Sequence, residues 1–192
     1  MPANPALRDF LLTRRSVGIA FLKEPGPNAQ ELRDILLIGT RVPDHGKLVP
    51  WRLVVFAGED RVRAGEKLAQ IARKRNPDID EASLDGERRQ LLPAPLTIGV
   101  IFSPKKSDKA PELEQLLSAG NVCHNLLNAA YALGFAATWV TRWFGFDVEA
   151  QQMLGAHGGE RFVGFIHIGT PAIVPDDRER PSLESVVSRW PG

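Results

Sequence analysis

The stretch PELEQLLSAGNVCHNLLNAAYALGFAATWV, residues 111–140, carries two structural periods in a single run. Apolar or small residues at 113, 116, 117, 120, 123, 126, 127, 130 and 133 recur at helical spacing, which predicts a long helix from Pro111 to Leu133. Its nearly continuous apolar stripe belongs in a core. Gly134 is placed to end that helix as a C-terminal cap. Phe135–Val140 then reads as a strand.

Downstream, Val148–Leu154 reads as a short helix and Phe162–Gly169 as a strand, followed by a proline-containing tail. Upstream, Leu96–Phe102 follows two prolines as a buried strand, residues 78–92 form a polar helical or irregular stretch, and 59–75 a basic amphipathic helix. Arg52–Phe56 is a β-rich apolar run fed by the loop RVPDHGKLVPW, residues 41–51. Asn28 with Glu31 resembles a capping box opening a helix marked by Leu32, Ile35, Leu36 and Gly39. At the start, Asn4-Pro5 opens a short helix to about Thr13. Helices thus flank strands too far apart for simple hairpins, which indicates an α+β or α/β layered domain.

At 192 residues, one domain spanning 1–192 is expected, and it can bury a core without staples. The 24 basic and 23 acidic residues leave a formal net charge of +1, so no global field draws the chain to nucleic acid or an anionic membrane. Any bound anion must be held locally. Cys123 is the only cysteine, which excludes an intrachain disulfide and multi-cysteine metal sites and suits a reducing cytoplasm. The N-terminal sequence lacks a signal-peptide pattern, and no apolar run approaches ~20 residues.

Three constellations could carry chemistry. Arg14-Arg15-Ser16 offers two guanidinium forks and a hydroxyl to a phosphate, or it merely satisfies a helix end and solvent. Arg41-Val-Pro-Asp44-His45-Gly46, followed by Pro50-Trp51, suits a planar anionic heterocycle; the alternative is a turn capped by Asp44 with His45 packed on Trp51. Gly134 through Arg142 permits close backbone approach, or is a core strand. Other chemistries lack their motifs. Histidines 45, 124, 157 and 167 lack zinc-site pairing, and the dinucleotide, phosphate-loop and serine-elbow signatures are missing. Cys123, on the apolar helix face, reads as a buried inert thiol.

Taken together, Arg-Arg-Ser at 14–16, RVPDHGKLVPW, the helix ending in Ala-Leu-Gly-Phe, the Trp139 segment and Gly-Thr-Pro at 169–171 resemble the nitroreductase family along nearly the whole chain. The Val-Pro-Asp-His version of the second motif is similar to a compact bacterial subgroup of NAD(P)H nitroreductases. The resemblance implies an α+β fold, a helix-flanked mixed β-sheet in an interlocked homodimer with FMN at the subunit interface. It implies that Arg14, Arg15 and Ser16 hold the phosphate and ribityl chain, and that Arg41 and His45 meet FMN, with ligands shared between chains. Trp139, Val140 and Thr141 match the segment beside the flavin, Arg180 a basic phosphate partner, and Ala129, Ala130, Tyr131, Ala132, Leu133 and Gly134 a stretch linked to the nicotinamide cofactor. Val140 stands where close relatives often carry a cation, so its contact would be through backbone unless Arg142 or Arg180 substitutes.

The activity so implied is FMN-dependent oxidation of NADH or NADPH with ping-pong reduction of a nitroaromatic or quinone-like small molecule. No acid, base, nucleophile or metal is assigned, because hydride transfer belongs to the flavin. The alternatives are another flavin chemistry on the same fold, a non-catalytic flavin-binding or sensor protein, and a weak nucleic-acid binder using the helix Arg61–Arg75; the last is disfavoured by Glu59, Asp60 and Glu66 on that helix.

Overall fold

The predicted long helix is α5, Glu112–Ala132, and it runs directly into strand β4, Ala136–Val140. Gly134, at φ 85°, is the left-handed residue that stops the helix, and the N–H groups of Gly134 and Phe135 bond back to the carbonyls of Tyr131 and Ala130. The computed structural model describes residues 2–191.

Two compact units are present, Ser16–Ile173 and a smaller one made by the chain up to Arg15 together with the segment from Val174. The larger unit holds β1 (Leu22–Lys23), α2 (Ala29–Gly39), β2 (Trp51–Ala57), α3 (Glu59–Arg75), α4 (Glu81–Arg88), β3 (Leu96–Phe102), α5, β4, α6 (Val148–Met153) and β5 (Arg161–Pro171). The smaller holds α1 (Pro5–Thr13) and α7 (Leu183–Val186). Asn28 makes the expected capping box: its Oδ1 accepts from the N–H of Gln30 and Glu31, while Glu31 Oε2 accepts from the Asn28 N–H.

The α+β class holds, with one correction: all strand pairs among the described residues are antiparallel, where a mixed sheet was expected. The crossover through α5 does leave β3 and β4 parallel to each other, but β5 inserts between them, so every adjacency is antiparallel.

Both faces of the sheet are covered. Ile98, Val100, Phe102, Ile166 and Ile168 pack with α5 and with Ile35 of α2. On the other face, Phe56, Ile101, Phe162 and Phe165 pack with Leu68 and Ile71 of α3 and Ala150 of α6. Each fully buried aliphatic or aromatic side chain contributes on the order of 1.5–3 kcal/mol, so these two layers dominate the stability. Double coverage also explains why β3 reads as an unbroken apolar run instead of an alternation. Cys123 is fully buried against this core, and burial pushes its thiol up. Among the described residues no helix is long and apolar enough to cross a membrane.

Candidate functional site

Strand register fixes where the predicted site residues stand along the sheet, with the 41–51 loop at the end marked by Phe102 and Arg161 and Trp139–Val140 opposite the middle of β5. Trp51, which closes the 41–51 loop, pairs with Phe102; Phe102 pairs with Arg161; and Val140 pairs with Phe165 a few residues along the same strand. The first turn of α5 lies at that end too, where Glu112 bonds Arg161 at 3.0 Å.

The 41–51 loop is tightly constrained. Both oxygens of Asp44 accept backbone N–H groups, from Leu48 at 3.1 Å and Val49 at 2.9 Å, so Asp44 does cap the turn. Three residues within it have positive φ: Gly46 at 76°, Lys47 at 54° and Val49 at 49°. For the β-branched Val49 this is a strained conformation of a kind that costs about 1–3 kcal/mol and persists only where the surroundings impose it.

Helix α5 supplies part of that support. Ser118 Oγ donates to the Pro43 carbonyl at 2.8 Å, and Asn125 Nδ2 donates to the carbonyls of Ile38 and Arg41 at 2.6 and 3.2 Å. His45 is half-exposed, and its Nδ1 lies 2.7 Å from Glu114 Oε2. Arg41 is exposed at the head of the loop.

On β4, Trp139 is 39% exposed and its Nε1 donates to the Val163 carbonyl at 3.4 Å, with Val140 and Thr141 half-buried beside it. Ser16, exposed, is brought to the same strand by its neighbour: Val17 N–H donates to the Ala137 carbonyl at 3.3 Å, and Val17 packs with Leu22, Ala94 and Ala136. The Tyr131 hydroxyl donates to that same carbonyl, also at 3.3 Å.

The nicotinamide-matched stretch is divided. Ala129 and Ala130 are fully buried in the core under α5, so neither can offer a side chain to a ligand. Tyr131 and Leu133 are half-buried, and Ala132 and Gly134 are exposed, at the end of α5 away from Glu114 and His45.

In the smaller unit, Arg15 donates to the Asp176 carbonyl and Arg180 Nη2 donates to Asp177 Oδ1 at 3.2 Å. The Arg178 backbone N–H, followed by the Arg180 side chain and the Arg15 charge, holds the Asp177 carboxyl below its ordinary range. Arg15 and Arg180 are thus gathered around one acidic turn. Arg14 is half-buried, with its backbone N–H on the Phe10 carbonyl.

Three residues that matter here gave no signal as site residues. Glu114 stands 69 positions from His45, so only the fold reveals the pair. His167 is fully buried, with Nδ1 2.8 Å from Thr97 Oγ1; burial and then the Arg142 charge lower its pKa to about 3. Gly164 sits inside β5 and meets Trp139; a glycine within a strand is the one available hint of such close approach.

This donor set fits a flavin mononucleotide. Arg41 and His45 put polar groups for an anionic heterocycle on a rigid turn, Ser16 leaves a hydroxyl open, and Trp139 leaves part of an indole surface open above a glycine.

Comparison with known proteins gives one answer. The family model described as Nitroreductase family matches residues 11–170. The chain is 33% identical, over 165 residues, to a protein of Escherichia coli strain K12 provisionally named NAD(P)H nitroreductase YdjA, an alignment covering 86% of this chain and 88% of that one. A nitroreductase-like family protein of Bacillus cereus superposes with a TM-score of 0.78 at 19% identity, over 100% of both chains. A Desulfovibrio desulfuricans structure, described as a nitroreductase by provisional assignment and solved in complex with FMN, superposes with a TM-score of 0.71 at 21% identity, over 99% of this chain and 100% of that one.

Proposed function

Since the chain belongs to the nitroreductase family, we propose that it is an FMN-dependent oxidoreductase passing electrons from NADH or NADPH to nitroaromatic or quinone-like acceptors. What carries this reading is a strained donor-bearing turn braced by α5 in a chain whose β4 also keeps an indole partly open. A catalyst that lends its hydride chemistry to a cofactor needs binding and orientation from its protein.

In this proposal Arg14, Arg15, Ser16 and Arg180 take the phosphate and ribityl chain, and Arg41 and His45 the heterocycle edge. Trp139, Thr141 and the backbone of Val140 line its ring, the Val140 side chain being packed toward Phe165. The nicotinamide would meet the exposed part of the 129–134 stretch, Ala132 to Gly134, because the side chains of Ala129 and Ala130 are committed to the core. Asp44 and Glu114 hold the turn and the imidazole in place. Bound FMN would supply the hydride acceptance and donation, and its sharing by donor and acceptor in turn gives ping-pong kinetics.

Exposed leucines, Leu37 on α2 and Leu113 and Leu117 on α5, support a homodimer with ligands shared between chains. A non-catalytic nucleic-acid role finds little support in α3, four of whose six cations are engaged in ion pairs: Arg63 with Asp60, Arg73 with Glu81, Lys74 with Glu149, and Arg75 with Asp147. A cytoplasmic setting accords with the single buried cysteine.

The test is an absorption spectrum of the purified protein, recorded before and after anaerobic NADH or NADPH. Flavin bands that bleach, followed by parallel-line initial-rate plots with a nitroaromatic acceptor, are expected. A colourless protein that takes up no added FMN would overturn the proposal, and intersecting plots would remove the ping-pong order.

A further inference from the structure

Trp139 lies where a side chain on Gly164 would stand. A Cβ built on Gly164 would come within 1.9 Å of Trp139 Nε1 and 2.5 Å of its Cδ1, so any residue but glycine must displace the indole. Gly164 is buried on β5 and lies diagonally across from Trp139, whose register partner is Ile166.

The neighbouring backbone is irregular at this place. Val100 pairs with Gly164 and Ile101 with Phe162, leaving Val163 unopposed in a β-bulge. Such a bulge turns its residue away from ladder pairing. Val163 is also the residue whose carbonyl receives the indole N–H, at 3.4 Å. Two independent features of β5, a missing side chain and a residue outside the ladder, therefore meet the same ring, which keeps 39% of its surface open.

We propose that Gly164 and the bulge at Val163 are positioning residues: they set the plane of Trp139, and through it the seat of the planar ring system that binds beside residues 139–141. The inference rests on the proposed flavin reading for the identity of that ring. The setting of the indole itself does not depend on it. Stacking on a rigid aromatic surface requires a fixed plane, because offset and edge contacts are sensitive to ring orientation.

The experiment uses full-length protein labelled with 5-fluorotryptophan. The chain has four tryptophans, and the Trp139 fluorine resonance is identified by its loss in W139F. In G164A the Trp139 resonance should move without FMN present, while those of Trp51, Trp143 and Trp190 stay in place. FMN binding, followed by flavin fluorescence, should weaken about fivefold or more in G164A. In a W139A background the same G164A change should alter affinity less than about twofold, since coupled positions are non-additive.

An unmoved Trp139 resonance, or an equal loss of affinity in both backgrounds, overturns the inference. If G164A alone does not fold, recovery of folded protein in the W139A/G164A double variant supports it, and failure to recover overturns it. Absence of FMN binding in the parent protein would instead sink the flavin reading, and the fluorine resonance would still decide the positioning.

Discussion

Single side chains set both the site and the acid response of this protein. Glu114 meets His45 at 2.7 Å, and a carboxylate on Nδ1 fixes the imidazole so that Nε2 is the nitrogen left to face a ligand. Both groups are half-exposed, so the pair is worth little to folding, roughly 1 kcal/mol or less. E114Q is therefore expected to leave the melting temperature nearly unchanged while weakening FMN retention by about two- to fivefold, read by flavin release on dilution. Unchanged retention would mean the imidazole needs no partner. His167 responds differently. Its folded pKa, about 3, lies below its ordinary 6.5, so the unfolded chain binds the extra proton first. The stability it contributes is full above pH 6.5 and is lost as pH falls toward 3. H167Q should flatten the decline in stability between pH 6.5 and 4.5 in denaturant titrations, and an identical slope in both proteins would show that His167 does not drive it.

Between elements, close approach matters more than side-chain chemistry. A Cβ on Gly39 of α2 would come 2.3 Å from Leu126 Cδ2 on α5, so G39A wedges the two helices apart and should cost about 1–3 kcal/mol, measured by chemical denaturation. A neutral result would mean that Leu126 can swing aside. Arg52 of β2 ties down the turn before β5, donating to Glu160 at 2.9 Å and to the Gly155 carbonyl at 2.7 Å. That bond, opposed by partial burial, lowers the Glu160 pKa from 4.5 to about 2. Glu160 is thus a depressed carboxylate, whose contribution is present above pH 4.5 and lost as pH falls toward 2. E160Q should remove about 1–2 kcal/mol at pH 7, allowing for solvent at the Arg52 edge, and less near pH 2; a constant deficit at both pH values would rule out linkage. These elements also show what the sequence could reveal. Helix α3 and strand β3 have the predicted ends, because Gly58 precedes α3 and prolines precede β3. Strand β1, two residues long, and α7, inside a proline-containing stretch, are too short to display a period. Trp139 stood out as an aromatic, but Gly164 acquires meaning only through the register that brings it beneath the ring.

At the scale of the molecule, the pattern of exposed hydrophobics points to assembly. The smaller unit exposes Leu12, Val174, Leu183 and Trp190, and the larger exposes Leu37, Leu113 and Leu117. Leu113 and Leu117 are one helical turn apart on α5, so they form one patch, next to the Glu114 that holds His45. If that patch is covered by a second copy, the interface and the cofactor site share a helix, and loss of one should carry loss of the other. L117D is expected to shift the protein from dimer to monomer in size-exclusion chromatography with light scattering, and to release FMN at the same time. A dimer that keeps its FMN would place Leu117 outside the interface. A monomer that keeps its FMN would show that one chain completes the site by itself, against a set of ligands shared between two.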